Sequence, residues 1–247
     1  MASGFLPCAV IPVYDHERAV GRVVAAVHAA GLPCLLVDDG SGPACARELE
    51  RLAAEVPATT LLRLPVNQGK GRAMITGFRA AAAAGYTHAL QIDADAQHAL
   101  GDIARFVAES RAHPAALVCG RPIFDASMPA VRRYGRCLTH GLVWLDTLSF
   151  DIPDSMCGFR VYPLAAVGEL LEHEGVGARM DFDVEIIVRL YWRGIGLRWL
   201  DTRVTYPLDG VSHFRMLRDN ARMVALQIRL VLGMLVRLPR LLRRRSS

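Results

Sequence analysis

Asp93-Ala94-Asp95-Ala96-Gln97-His98 sets two carboxylates one residue apart and follows them with an amide and an imidazole. Hard oxygen donors at that spacing suit Mg²⁺ or Mn²⁺, with coordination positions left over for the phosphate oxygens of a substrate. A lone D-x-D is also common as a plain acidic loop, so the hexapeptide needs company before it means chemistry. It is not a calcium EF-hand, because His98 stands where that loop's glycine belongs and Ala104 where its bidentate glutamate belongs.

Company is present. Asn67-Gln68-Gly69-Lys70-Gly71-Arg72 places two glycines around a lysine just ahead of an expected helix, where free backbone N–H groups favour an anion. Lys70 is the only lysine among 29 basic residues, which suggests a place where a compact point charge is wanted. The segment is not a P-loop: Leu64 stands where the first glycine would be, and no serine or threonine separates Lys70 from Arg72. Val37-Asp38-Asp39-Gly40-Ser41 ends an apolar run in two acids that can accept hydrogen bonds from ribose hydroxyls or a base N–H, although D-G-S is also ordinary turn punctuation. Asp181-Phe182-Asp183-Val184-Glu185 offers Asp183 and Glu185 as general bases, with the choice between them open. Acids in a first helical turn also simply complement the helix dipole. His213, in Ser212-His213-Phe214, is a late imidazole whose claim rests on context alone.

The elements that must position these groups are legible in the first half of the chain. Short apolar runs at 9–13, 34–37, 60–64, 89–92 and 116–119 alternate with helical stretches at 18–30, 44–54, 71–84 and 101–110. Such alternation predicts a mostly parallel sheet with helices on both faces, and ligands in such sheets bind beyond the carboxyl ends of the strands. Pro12 and Tyr14, Asp38 and Asp39, the Lys70 segment and the Asp93 cluster all fall just after a strand. Beyond residue 122 the alternation lapses into an expected helix at 131–148, a strand at 158–162, helices at 164–172 and 182–192, and a last strand at 197–206.

At 247 residues and 52% hydrophobic, the chain is long enough to bury a sizeable core. No run approaches the length of uncharged apolar sequence that a spanning helix needs, and the opening stretch lacks the basic flank of a signal peptide. Six cysteines show neither C-x-x-C nor metal spacing and are expected as buried thiols in a reducing compartment. The formal charge is +5, yet residues 1–221 hold 22 basic and 24 acidic side chains, a net −2, so the basicity belongs to the tail.

Read in order, Pro12-Val13-Tyr14-Asp15, Val37 to Ser41, Asn67 to Gly71, Asp93 to His98, Cys157-Gly158-Phe159-Arg160 and Asp183-Val184-Glu185 resemble the family 2 glycosyltransferases. Within that family the nearest likeness is to the group that contains dolichyl-phosphate mannose synthase-like enzymes. The resemblance covers about residues 8–215 and implies an α/β fold of GT-A type. It also implies an inverting transfer of sugar from a UDP- or GDP-sugar, aided by Mg²⁺ or Mn²⁺. Pro12, Tyr14, Asp38 and Asp39 would then hold the nucleoside, and Lys70 and Asp93 would lie near the diphosphate. Asp93, Asp95, Gln97 and His213 would hold the metal, and Asp183 or Glu185 would deprotonate the acceptor. Arg121 resembles a phosphate-contacting arginine of the polyprenyl-phosphate branch, and Arg133 and Arg136 are further candidates to grip an acceptor phosphate. Asp15-His16 departs from the family's usual Asn-Glu, and Cys157 stands where a serine is usual. A Q-x-x-R-W box is absent, which favours one sugar per encounter. The rivals are a sugar-phosphate nucleotidyltransferase, which would need a glycine-rich loop where Tyr14 to Arg18 stand, and a non-enzymatic membrane- or nucleic-acid-binding module.

The expected organisation is a catalytic domain at 1–214 and an arginine-rich amphipathic helix at 215–247. On a helical wheel, Arg215, Arg218, Arg222, Arg229, Arg237, Arg240 and Arg244 share an arc of about 100°, and nearly all the rest is apolar. That apolar surface is wider than one domain contact needs. The expectation is a cytoplasmic enzyme held peripherally at the inner membrane face, acting on a lipid-linked or long-chain acceptor, with no nucleic-acid partner. An ordinary helix packed against the domain or in a homodimer is the competing use of that surface.

Overall fold

The computed structural model describes residues 4–124, 130–205 and 216–244. The chain runs β1 (Pro7–Val13), α1 (Val20–Ala29), β2 (Cys34–Asp38), α2 (Pro43–Glu55), β3 (Thr59–Arg63), α3 (Lys70–Ala83) and β4 (His88–Gln91), then a short 3₁₀ turn into α4 (Ile103–Ala112). It continues through β5 (Leu117–Phe124), α5 (Ala130–Thr147), β6 (Arg160–Pro163), α6 (Leu164–His173), α7 (Phe182–Trp192), β7 (Leu197–Val204) and α8 (Met216–Arg244). The seven strands form one sheet in the order β3-β2-β1-β4-β6-β5-β7.

Strands covered on both faces read as continuous apolar runs rather than alternations, and β1 and β2 do so. Within β1, Cys8 and Val10 enter the core under α3, α6 and α7, while Ala9, Ile11 and Val13 enter the core under α1, α2 and α4. β1 lies between β2 and β4, both parallel to it, and the chain reaches β4 only after leaving the sheet's other edge at β3. The order of the strands therefore reverses at β1, and the crevice at the carboxyl ends of β1 and β4 is where such sheets bind ligands.

The second half departs from the parallel rule. β6 runs antiparallel to both β4 and β5, with Arg160 in register with Gln91 on one side and Cys119 on the other. Because β6 runs backwards, its amino end lies beside the carboxyl end of β4, which carries the Cys157-Gly158-Phe159-Arg160 segment to the crevice. β5 extends past the expected 116–119, since β7 pairs with it through Phe124, whereas its contact with the β6 side ends at Gly120. Pro122, lacking an N–H, is tolerated on that half-paired stretch.

α8 packs on the domain through Leu226, Leu230, Met234 and Leu241, which are all buried. No helix among the described residues is long and apolar enough to cross a membrane. Five of the cysteines are buried and Cys137 is exposed, and all six are free thiols.

Candidate active site

Lys70 opens α3 directly after Gly69, whose φ of 102° a side chain would strain. Its ammonium lies 2.7 Å from Asp93 Oδ1 and 2.7 Å from Asp183 Oδ2, so one cation joins α3, the end of β4 and the start of α7. Burial works against the charge on Lys70, but the two carboxylates overcome it and raise its proton affinity above the ordinary lysine value. Asp93 shows the converse: burial opposes its charge, yet Lys70 and His98 hold its carboxyl well below the usual range. Asp95 is pushed up, by burial first and by the Asp93 charge second.

The turn after β4 is tight. Gln97 N–H donates to Asp95 Oδ1 at 3.0 Å, and Ala96 adopts a φ of 55° in the left-handed region. His98 is tied into the sheet through a bridge to Val204, its ring is 5.4 Å from Phe159, and its Nε2 is 3.8 Å from Asp93 Oδ2. Gly158 seals the other side. A Cβ placed there would come within 2.7 Å of Lys70 Nζ and 2.8 Å of Asp93 Oδ2, so only glycine leaves room for the ion pair.

Asp183 is fixed by a buried relay. Gln91 Nε2 donates to Asp183 Oδ1 at 2.7 Å, Tyr162 O–H donates to Gln91 Oε1 at 3.0 Å, and Arg160 donates to the Asp183 carbonyl at 2.7 Å. Glu185, two residues on, faces away. It accepts from Gly177 N–H at 2.7 Å and pairs with Arg189 at 2.7 Å and Arg229 at 3.2 Å.

At the carboxyl end of β2, Asp38 and Asp39 are buried and organise the loops around them. Asp38 accepts from Ser41 N–H and Arg63 Nε, both at 2.8 Å. Asp39 accepts from Gln68 N–H and Gly69 N–H, both at 2.7 Å, which sets the turn that presents Lys70. Burial raises the proton affinity of Asp39, and those two N–H bonds partly counter it. Pro12 lies in β1 opposite Val37, and Tyr14 follows its end.

A cleft beside these groups is lined by Asp93, Asp95, Gln97, His98, Gly158 and Arg136. Arg136 reaches it from α5, stacks 4.9 Å over Phe124 and pairs with Asp154, which His140 Nε2 approaches at 3.3 Å. Burial resists ionisation of Asp154, but His140 and Arg136 bring its carboxyl down to about 2. Asp154, Gln91 and Tyr162 had no motif to announce them, although Arg160 belonged to the Cys157–Arg160 segment and a buried strand ending in a glutamine was a signal available at Gln91. Arg121 lies elsewhere: it binds Asp201 at 2.5 and 3.0 Å and lines a separate cleft with Phe150, Tyr191 and Trp199. Arg133 is exposed. His213 lies outside the described residues.

Among the described residues no three carboxylate, imidazole or thiolate groups converge as a metal site. Among the described residues, the Asp93 and Asp95 carboxylates and the oxygen donors near them are what the cleft offers a cation. That set fits a hard ion completed by phosphate oxygens, which would offset the burial and the Asp93 charge that push the Asp95 carboxyl up.

The chain is similar to several known proteins. An uncharacterized protein of Methanocaldococcus jannaschii is 26% identical over 160 residues, covering 62% of this chain and 69% of that protein. Glucosyl-3-phosphoglycerate synthase of Mycobacterium tuberculosis, solved in complex with Mn²⁺, UDP and glucosyl-3-phosphoglycerate, matches with a TM-score of 0.61 at 16% identity, over 94% of this chain and 79% of that one. Mannosyl-3-phosphoglycerate synthase of Rubrobacter xylanophilus matches with a TM-score of 0.63 at 20% identity, over 96% of this chain and 76% of that one. The two solved structures show that the fold is of GT-A type. The model of glycosyl transferase family 2 matches residues 8–168, the stretch that carries β1 to β6 and the Asp93 cluster, and the chain belongs to that family.

Proposed function

We propose that the protein is an inverting glycosyltransferase that moves a sugar from a UDP- or GDP-sugar to a hydroxyl or phosphate on a lipid-linked or long-chain acceptor. The observation that carries this reading is the meeting of Lys70, Asp93, Asp95 and Asp183 at the reversal point of the sheet, beside a cleft walled by Arg136. Pro12, Tyr14, Asp38 and Asp39 frame the nucleoside side, and Lys70 at the head of α3 meets the diphosphate. Asp93, Asp95 and Gln97, joined by His213, would hold Mg²⁺ or Mn²⁺, in keeping with the Mn²⁺ and UDP of the M. tuberculosis synthase. When bound, the metal supplies a Lewis acid for charge building on the leaving diphosphate.

The side chains have separable tasks. Asp183, held between Gln91 and Lys70, takes the proton of a hydroxyl acceptor. A phosphate acceptor is already an anion and needs no base. Arg136, with His140 nearby, then steadies it by charge-assisted hydrogen bonds. The exposed apolar stripe of α8 and the arginines beside it favour attachment at the cytoplasmic membrane face, where a lipid acceptor is presented.

A panel of UDP- and GDP-sugars tested with Mn²⁺ for protection against thermal unfolding identifies the donor. One nucleotide should protect strongly and depend on the metal. Asp95→Asn should keep the fold, lose the metal-dependent part of the protection and lose transfer. Full turnover by folded Asp95→Asn with Mg²⁺ or Mn²⁺ would remove the metal site and this reading with it.

A further inference from the structure

We infer that Glu185 and Arg229 are positioning residues that hold the loop at 176–179 against the Gly69–Gly71 turn, so that the C-terminal helix sets the protein's affinity for the donor. The inference rests on the reading that Lys70 meets the donor diphosphate.

The Lys70 turn is clamped from two sides. Asp39 grips it from one side by the N–H groups of Gln68 and Gly69. The other side is the 176–179 loop: Arg72 N–H donates to the Ala178 carbonyl at 2.9 Å, and Arg179 donates from its guanidinium to Asn67 Oδ1 at 2.9 Å. The fit is close enough that a Cβ on Gly69 would lie 2.7 Å from the Ala178 oxygen, and one on Gly71 would lie 2.3 Å from the Gly177 oxygen. A shift of this loop therefore has to move the lysine.

The loop itself is held from behind by two acids. Glu185 Oε2 accepts from Gly177 N–H at 2.7 Å, and Asp181 Oδ1 accepts from Arg179 N–H at 3.1 Å. Arg229 of α8 approaches both, at 3.2 Å from Glu185 Oε2 and 3.7 Å from Asp181 Oδ2. Glu185 is fully buried on the side of α7 opposite Asp183, with its second oxygen taken by Arg189. It touches neither Lys70 nor the Asp93 cleft, which leaves it nothing to deprotonate. What it can do is hold a backbone N–H in place. Arg229 ties that support to a helix more than 40 residues later in the chain.

The experiment compares donor KM, kcat and the pH–rate profile of the full-length protein with those of Arg229→Met, Arg229→Lys and Glu185→Gln. Arg229→Met leaves Glu185 paired with Arg189, so the fold should survive. Its donor KM should rise by about 2- to 5-fold, the effect expected of a half-exposed ion pair, with kcat nearly unchanged and much of the loss restored in Arg229→Lys. Glu185→Gln should raise donor KM further while its pH–rate profile keeps the native shape. An unaltered donor KM in Arg229→Met, even with a lowered melting temperature, would reduce Arg229 to a tether. A pH–rate limb lost in Glu185→Gln would make Glu185 the base and end the inference. Lys70→Ala serves as the control: normal donor binding there sinks the reading of the donor site itself, whereas impaired binding there with a normal Arg229→Met sinks only the coupling.

Discussion

Asp183 and Glu185 show what a single residue type can and cannot say. Both open α7 and both suit a general base, but residues two apart on a helix point about 200° apart, so one cleft cannot use both. The structure gives Asp183 to Lys70 and Gln91, and Glu185 to Gly177 and Arg189. Gly158 makes the complementary point, because its importance lies in the atoms it leaves room for. Its backbone is not in the left-handed region, so alanine adds no φ strain, only a methyl group within 3.0 Å of Lys70 Nζ, Asp93 Oδ2 and Gln91 Nε2. A lysine tip ordinarily swings aside at little cost, but this one is pinned between two carboxylates. Gly158→Ala should therefore retain the native circular dichroism and lose transfer by about 10²-fold, the scale for an ångström-sized misplacement at a reacting centre. Native turnover in that variant would show that the Lys70 network bends freely and does not set the geometry of transfer.

Among the elements, legibility followed burial. β1, β2 and β4 were readable because strands covered on both faces leave apolar runs that little else imitates. The direction of β6 was not readable, since a four-residue strand, Arg160-Val161-Tyr162-Pro163, carries no mark of polarity and its neighbours are chosen by the whole sheet. Hence the Lys70, Asp39 and Asp93 segments could be placed at strand ends from sequence, while the role of Arg160 and Gly158 depended on a reversal that only the fold supplies. Asp154, in a loop without motif, was invisible for the same reason. A further element-scale feature is Asp146, buried at the end of α5 and bound there by Gln227 of α8 at 2.8 Å. Burial pushes its carboxyl up to about 6, with the Gln227 bond only partly opposing. The native state thus binds this proton more tightly than the unfolded chain does. Stability falls as pH rises from about 4 to about 6 and stays lowered above that, by up to about 3 kcal/mol. Asp146→Asn should raise the melting temperature by up to roughly 6–12 °C at pH 8 and by much less at pH 4.5. An equal effect at both values would mean that packing, and not ionisation, governs the contact between α5 and α8.

For the whole molecule the telling feature is a body of slight negative charge closed by a helix whose surface has three sectors. The expected boundary at residue 214 falls outside the described residues, but the helix beyond it is described and is not a loose appendage. Leu226, Leu230, Met234 and Leu241 occupy an arc of about 80° against the domain. Arg229 lies beside that face, joined to Glu185, and Arg237 falls within it, joined to Glu174 and the ring of Trp192. Val224, Ile228, Leu232, Leu235, Val236 and Leu242 fill a third arc of about 120° and are each at least half exposed. The helix was readable as too apolar for one contact, and the structure shows which part of the excess faces outward. Tyr134, Leu138 and Leu145 add an exposed apolar row on α5, the helix that packs on α8. Removing the whole helix would uncover the core, so the sharper experiment changes only its outer face. Ile228→Gln, Leu232→Gln and Val236→Gln combined should leave the melting temperature nearly unchanged. At about 1 kcal/mol for each partly buried side chain, the triple variant should bind anionic liposomes at least about 10²-fold more weakly. Raising the salt should weaken the native protein as well, since basic side chains near the surface contribute about 1 kcal/mol each and are screened. Transfer to a lipid acceptor in vesicles should fall with binding, while hydrolysis of the donor in solution stays the same. If instead the native protein ignores such liposomes at low salt and sediments as a dimer that the triple variant dissolves, the stripe belongs to a second copy of the chain and not to the membrane.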